Sequence, residues 1–230
     1  MEIGSVTLPA SYYQDESCMI YCGDCREIFP TLGRFDLLLT DPPYGIDWNT
    51  NYSRFTNLMT SGSQVDHAKI ENDSDSQMMK FALEIDLPKI VWGAHLSPWL
   101  IKEAGSWLVW DKRFENGVAM LADAELAYWS KGAGVYIHKH TWQGMIGDKS
   151  GTPRKRLHPN EKPAGLLRWC LNLCPDAQII LDPFMGSGTT LVAAKLEGRR
   201  AVGIELEEKY CEIAAERLRQ KVLNFSEAMP

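Results

Sequence analysis

Phe35-Asp36-Leu37-Leu38-Leu39 runs without a break into Thr40-Asp41-Pro42-Pro43-Tyr44-Gly45. An apolar run that ends in an acid, two prolines and an aromatic describes a buried strand with a stiff loop at its carboxyl end. Each proline fixes its own φ, so the loop holds its functional groups in place. In open α/β sheets, ligands bind beyond the carboxyl ends of the strands. This loop offers there the Asp41 carboxylate, the Pro42 carbonyl and the flat π surface of Tyr44. Together they suit the grip of an exocyclic amine on a planar base.

Outward from this stretch, short apolar runs alternate with helical spacing. Strands are expected at 18–22, 35–40, 89–92, 107–110, 124–129, 178–181 and 200–204, with 135–137 as a further one. Helices are expected at 77–87, 98–104, 163–173, 189–197 and 207–225, with a short helix or turn at 26–32. Strands alternating with helices imply a mainly parallel α/β sheet. A chain of 230 residues fills one α/β domain well and is short for two, so a single domain over 1–230 is expected. Residues 46–76 are polar with scattered aromatics, and a loop of that length in a compact domain is usually functional or disordered.

The second informative stretch is Asp182-Pro183-Phe184-Met185-Gly186-Ser187-Gly188-Thr189-Thr190. A strand, a glycine-rich turn and a helix make a ligand corner at a helix N-terminus. Gly186 and Gly188 let the backbone approach a ligand closely. No lysine follows the glycines where a Walker phosphate loop needs one, and a dinucleotide fingerprint would need a third glycine. Glu205 ends the next strand about twenty residues on, where an acid binds ribose hydroxyls in nucleoside-binding folds. Singly, a tight turn and a helix N-terminal acid would account for these residues. Paired at this spacing, they suit a nucleoside ligand without a pyrophosphate, such as S-adenosylmethionine.

Hydrophobic residues make up 45% of the chain and charged ones 23%. No apolar run approaches the ~20 residues of a membrane span. The N-terminus has no basic region followed by an apolar one, so a cytoplasmic protein without membrane association is expected. The net charge of −6 argues mildly against a nucleic-acid binder. Lys149, Arg154, Lys155 and Arg156, with His158 beyond, nevertheless form a basic strip, and Lys112-Arg113 a smaller one. Such a strip is either a solvated loop or a phosphate contact. Cys18, Cys22 and Cys25 have the C-x3-C-x2-C spacing of an iron–sulfur loop in radical enzymes. Ile20-Tyr21-Cys22 reads as the end of a strand, which would scatter the thiols, so reduced cysteines and no metal are expected.

In this order the motifs resemble the permuted, β-class amino-methyltransferases of DNA, the N6-adenine/N4-cytosine family. Asp41-Pro42-Pro43-Tyr44 is similar to the catalytic motif, which comes early, and 182–190 to the cofactor motif, which comes late. Tyr21-Cys22-Gly23-Asp24-Cys25, His158-Pro159-Asn160-Glu161-Lys162-Pro163 and Gly203-Ile204-Glu205 are similar to further motifs of the family, over most of 18–222. The resemblance implies an S-adenosylmethionine-dependent methyltransferase fold: a seven-stranded, mainly parallel sheet with one antiparallel strand, flanked by helices. It implies direct methyl transfer to a base flipped out of DNA, with no covalent enzyme intermediate.

The resemblance also implies the site. Asp41, Pro42, Pro43 and Tyr44 would be catalytic. Asp24 and Cys25 would lie near the cofactor's adenine, and Glu205 would hold its ribose. Phe184, Gly186, Ser187 and Gly188 would line the methionine side, with Asp182 near the amino group and Lys162 and Thr189 near the carboxylate. An Asp at the head of the catalytic motif leans toward adenine N6; cytosine N4 is the alternative, as is RNA methylation at guanine N2 or adenine N6. RNA-guanine and protein-amide relatives usually place the cofactor motif first, and an idle nucleic-acid-binding module has no need of an intact catalytic motif. Many relatives insert a large recognition segment before the His-Pro motif. Here only 134–157, helped by 46–76, is available to contact DNA. Relatives often pair, so a homodimer is an open option.

Overall fold

Leu37, Leu38 and Leu39 are fully buried because their strand, β3 (Leu37–Thr40), has a parallel neighbour on each side. A strand covered on both faces reads as a continuous apolar run. In the computed structural model, which describes residues 9–45, 76–113, 122–141 and 161–220, β3 lies at the centre of a nine-stranded sheet. The other strands are β1 (Tyr13–Gln14), β2 (Cys18–Cys22), β4 (Lys89–Trp92), β5 (Ser106–Asp111), β6 (Ala124–Trp129), β7 (Val135–Lys139), β8 (Ile179–Asp182) and β9 (Arg200–Glu205). Their order is β1-β2-β9-β8-β3-β4-β6-β5-β7. The strands from β2 to β4 in this order are mutually parallel; β6 runs antiparallel between β4 and β5, and β7 is parallel to β5.

The mainly parallel α/β sheet is as expected, but it has nine strands and not seven. The inner seven, from β2 to β5, contain one antiparallel member, β6. The excess is two edge strands. β1 is a two-residue antiparallel pairing with β2, reinforced by the Tyr12 N–H donating to the Ile20 carbonyl at 2.8 Å. It has no apolar run of its own and therefore no sequence signal. β7 contains the run at 135–137 and pairs with β5 from Trp107↔Val135 to Asp111↔Lys139.

Side chains of the central strands alternate between two cores. Leu37, Leu39, Ile90, Trp92 and Ile180 join one cluster, and Leu38, Val91, Leu181 and Ile204 the other. The first face is covered by α3 (Ala164–Asn172), α4 (Thr189–Leu196) and α5 (Glu208–Arg219), through Leu166, Cys170, Leu191, Ala194, Cys211 and Ala214. The second is covered by α1 (Cys25–Ile28) and α2 (Gln77–Glu84), through Ile28, Met79 and Ala82. Each fully buried leucine contributes about 1.5–3 kcal/mol. Three helix expectations are clearly shortened, the first being 77–87, which ends at Glu84 because Ile85 is already extended. Instead of a helix at 98–104 there is one 3-10 turn, Pro98–Leu100, after which Ile101 is already extended at φ −79°, ψ 114°. The chain must there reach Gly105, which lies against the Tyr128 ring and the Trp129 carbonyl, where a Cβ has no room. The last helix is Glu208–Arg219, and 221–225 lie outside the described residues.

Parallel pairing brings the carboxyl ends of β2, β9, β8, β3 and β4 to one edge. The chain leaves β8 toward β9 and β3 toward β4, in opposite directions, which opens a crevice between them. Across that crevice Thr40 Oγ1 donates to Asp182 Oδ1 at 2.7 Å, and the Phe184 N–H donates to the same oxygen at 3.2 Å. Asp182 is buried. Burial pushes its carboxyl up to about 6 from an ordinary 3.8, against the hydroxyls of Thr190 and Thr40. A carboxyl raised in the folded state favours folding while it is protonated. It therefore contributes about 3 kcal/mol below pH ~4 that is lost as pH rises through ~6. Chemical denaturation from pH 7 down to pH 5 should show a rising stability component that Asp182→Asn removes.

Candidate active site

Asp41 follows β3 directly, and both its oxygens are engaged. Tyr44 Oη donates to Oδ1 at 2.7 Å, and Lys162 Nζ donates to Oδ2 at 2.5 Å. Lys162 Nζ also lies 3.4 Å from Tyr44 Oη and 3.1 Å from Glu125 Oε2 on β6. Glu125 Oε1 in turn takes Lys112 Nζ at 2.8 Å. Burial pushes the Asp41 carboxyl above its usual range, opposed by the Lys162 ammonium. Burial works against the charge of Lys162, but the carboxylates of Asp41 and Glu125 outweigh it and hold its pKa well above the ordinary lysine value. Burial likewise opposes ionisation of Glu125, yet Lys162 and Lys112 draw its pKa down to about 2. The Tyr44 ring packs against Gly93, whose φ is +76° and where a Cβ would overlap the ring; glycine is required there on both counts.

The cofactor-type corner is built on β8, α4 and β9. Its turn has Gly186 and Gly188 at positive φ, 51° and 77°, and a Cβ on Gly188 would stand 2.7 Å from the Ala214 Cβ. Glu205 Oε2 accepts the Gly186 N–H at 3.0 Å and Oε1 the Glu207 N–H at 2.8 Å. Burial pushes its carboxyl above the usual range. Arg217, from α5, donates through Nη1 to the Ser187 carbonyl at 2.6 Å and to Ser187 Oγ and Thr189 Oγ1 at 3.0 Å each. Its other arm is 3.4 Å from Glu161 Oε1. At the end of β2, Asp24 caps α1 by accepting the Arg26 N–H at 2.9 Å, and it pairs with the Arg26 guanidinium at 2.5 Å.

One pocket joins the two halves. Asp41, Pro43 and Lys162 stand on its wall with Asp24 and Cys25. Asp182, Phe184, Gly186, Ser187, Thr189 and Glu205 also line it. Pro42, Tyr44 and Gly188 are not on the wall; Pro42 is buried beneath the loop, and Gly188 shapes the turn. Lys162 is drawn to Asp41 and Glu125, whereas the cation at Ser187 and Thr189 is Arg217. Glu125 and Arg217 were missed in the sequence. Glu125 had a signal, an acid in an otherwise apolar strand; Arg217 lies in a charged helix and had none. Lys112-Arg113 is not a free basic patch, because Lys112 pairs with Glu125 and Arg113 with Asp111. Of the segments expected to contact DNA, 46–75 and 142–157 lie outside the described residues, as do the strip at 149–156 and His158. Cys18 and Cys22 lie on β2 and Cys25 on α1, all free thiols. No helix among the described residues is long and apolar enough to cross a membrane.

Comparison with known proteins agrees with this geometry. A family model described as DNA methylase, of the N6/N4 type, matches residues 109–216. The type II methyltransferase M.ScaI of Streptomyces caespitosus is 26% identical over 254 aligned positions, covering 90% of this chain and 83% of the relative. The putative methylase YubD of Escherichia coli is 31% identical over 211 positions, covering 85% and 88% respectively. Among solved structures, the cytosine-N4-specific PvuII DNA methyltransferase superimposes with a TM-score of 0.57 at 14% identity, over 92% of this chain and 90% of that one. The last match concerns the fold alone. Taken with the motif order and the shared pocket, the 31% identity to YubD over most of both chains means that this chain belongs to the N6/N4 family of DNA methylases.

Proposed function

We propose that the protein methylates the exocyclic N6 of adenine in duplex DNA, using S-adenosylmethionine. The observation that carries this reading is the Asp41 carboxylate on the wall of the same pocket as the glycine-rich corner and Glu205. The corner fits such a cofactor. Glu205 uses one lone pair of each oxygen on backbone N–H groups, leaving acceptor capacity for vicinal hydroxyls. The turn at Gly186–Gly188 brings bare backbone to the pocket edge. The bound cofactor would supply an electrophilic methyl group, and the chain's own residues must do the rest.

An aromatic amine is a weak nucleophile because its lone pair is delocalised. Asp41, on the pocket wall, would accept one of its N–H bonds, and the Pro42 carbonyl, off the wall in this structure, would accept the other once the loop shifts, releasing the lone pair toward the methyl. Each oxygen of Asp41 already has one donor and, like those of Glu205, keeps a further lone pair for the incoming amine. A Tyr44 ring that turns to stack on the base gives up its own hydrogen bond to Asp41; a hydrogen bond to a charged group is worth about 1.5–3 kcal/mol. Stacking a flipped base on the freed Tyr44 ring returns about 1–3 kcal/mol, so the exchange is nearly even. Adenine is favoured over cytosine because the residue at the head of the motif is Asp41. The matching family model spans both the N6 and the N4 type, which makes N4-methylcytosine the second reading.

Three outcomes test this proposal. Asp41→Ala should abolish transfer of labelled methyl to DNA while binding of the uncharged S-adenosylhomocysteine persists, because Lys162 keeps Glu125 as a partner; full activity would refute the assignment. Arg217→Lys, which cannot span Ser187 and Thr189 with a fork, should weaken cofactor affinity roughly tenfold, or about 1.4 kcal/mol. Its kcat at saturating cofactor should stay within about twofold, as calorimetry and steady-state kinetics will show. Neutralising Lys149, Arg154, Lys155 and Arg156 together should flatten the salt dependence of DNA binding, by up to roughly 0.9 for each phosphate no longer neutralised.

A further inference from the structure

Glu125 brings an acid to Lys162 that the reaction described so far does not use. β6 runs antiparallel beside β4 and β5, pairing Glu125 with Trp110. Its side chain completes a row of alternating charges: Asp41 Oδ2 to Lys162 Nζ at 2.5 Å, Lys162 Nζ to Glu125 Oε2 at 3.1 Å, and Glu125 Oε1 to Lys112 Nζ at 2.8 Å. The Lys162 side chain is only 8% exposed. Lys112 closes the row on its far side, 5.3 Å from the centre of the Trp110 ring.

A buried ammonium ion is costly unless it is paired. With Asp41 as its sole acid, Lys162 would spend its whole charge there, and Asp41 would present little negative potential to anything else. The proposed reaction requires that potential twice. The methyl donor is a cation, and the amine becomes more positive as its lone pair forms the new bond. Exchanging Glu125 for a neutral group makes the surroundings of Asp41 more positive by one charge.

We propose that Glu125 is a positioning residue: it divides Lys162 between two carboxylates and so keeps Asp41 electronegative toward a cationic methyl donor and the amine it methylates. This rests on the reading of Asp41 as the amine acceptor and of S-adenosylmethionine as the donor. Nothing in the catalytic or cofactor motifs points to this acid. Its role follows from one strand register and two ion-pair distances.

The test compares S-adenosylmethionine with S-adenosylhomocysteine, which lacks the methyl group and with it the positive charge. Both are titrated calorimetrically into the full chain, Glu125→Gln and Glu125→Asp. Glu125→Gln should lower the ratio of the two affinities roughly tenfold, and Glu125→Asp should retain most of it. An unchanged ratio overturns the proposal. So does an equal fall in both affinities, which a packing defect would produce. A parallel assay of methyl transfer to DNA by the wild-type chain keeps the two claims apart. Absence of transfer refutes the proposed reaction, while the affinity ratio still decides the role of Glu125. A wild-type chain that binds neither ligand overturns both.

Discussion

The hydrogen bond from Thr40 to Asp182, 2.7 Å long, joins residues 142 positions apart in the chain. It exists because β3 and β8 are parallel neighbours that end at the same edge of the sheet. Each strand then delivers its motif to the same crevice: the loop of Asp41 on one side, the glycine-rich turn on the other. If β3 and β8 were not adjacent, a group held by Asp41 and a ligand in the corner could not meet. The start of the pair is secured as well, since Asp36 accepts the Gln178 and Ile179 N–H groups at 2.9 and 2.8 Å. The register of the two strands is thus fixed at both ends by a carboxylate.

Within that frame the site is governed by electrostatics in a confined space. Asp41, Lys162 and Glu125 are each expensive to bury alone and tolerable together. Tyr44 completes the set by occupying the oxygen of Asp41 that Lys162 leaves free. The cofactor side is arranged differently. There Arg217 braces the turn from behind through backbone and hydroxyl oxygens, and Glu205 is held by two backbone N–H groups. One side is tuned through shared charge and the other through fixed geometry.

Much of this was legible in the sequence, for definite reasons. Leu37-Leu38-Leu39 announced a strand buried on both faces. The two prolines after Asp41 and the two glycines after Phe184 marked the loops, since each restricts or frees the backbone in a way local sequence reveals. Glu205 was legible by its distance from the glycines. What stayed hidden depends on contacts between elements far apart in the chain. Tyr13-Gln14 forms a strand only because β2 is there to pair with it. Residues 101–104 have helical spacing but form no helix, and the chain leads there to Gly105, packed against Tyr128. Lys162 belongs to the His-Pro-x-x-Lys-Pro motif, yet which acid it meets is set by the register of β6, and Arg217 reaches the turn only through the packing of α5 on α4.

The central claim is that the amine held by Asp41 is adenine N6. The most direct measurement is to incubate duplex DNA with the protein and S-adenosylmethionine carrying a deuterated methyl group, digest it to nucleosides, and identify the labelled species by mass. The account predicts labelled N6-methyladenine and no labelled cytosine. Labelled N4-methylcytosine alone, or no labelled nucleoside at all, would contradict it.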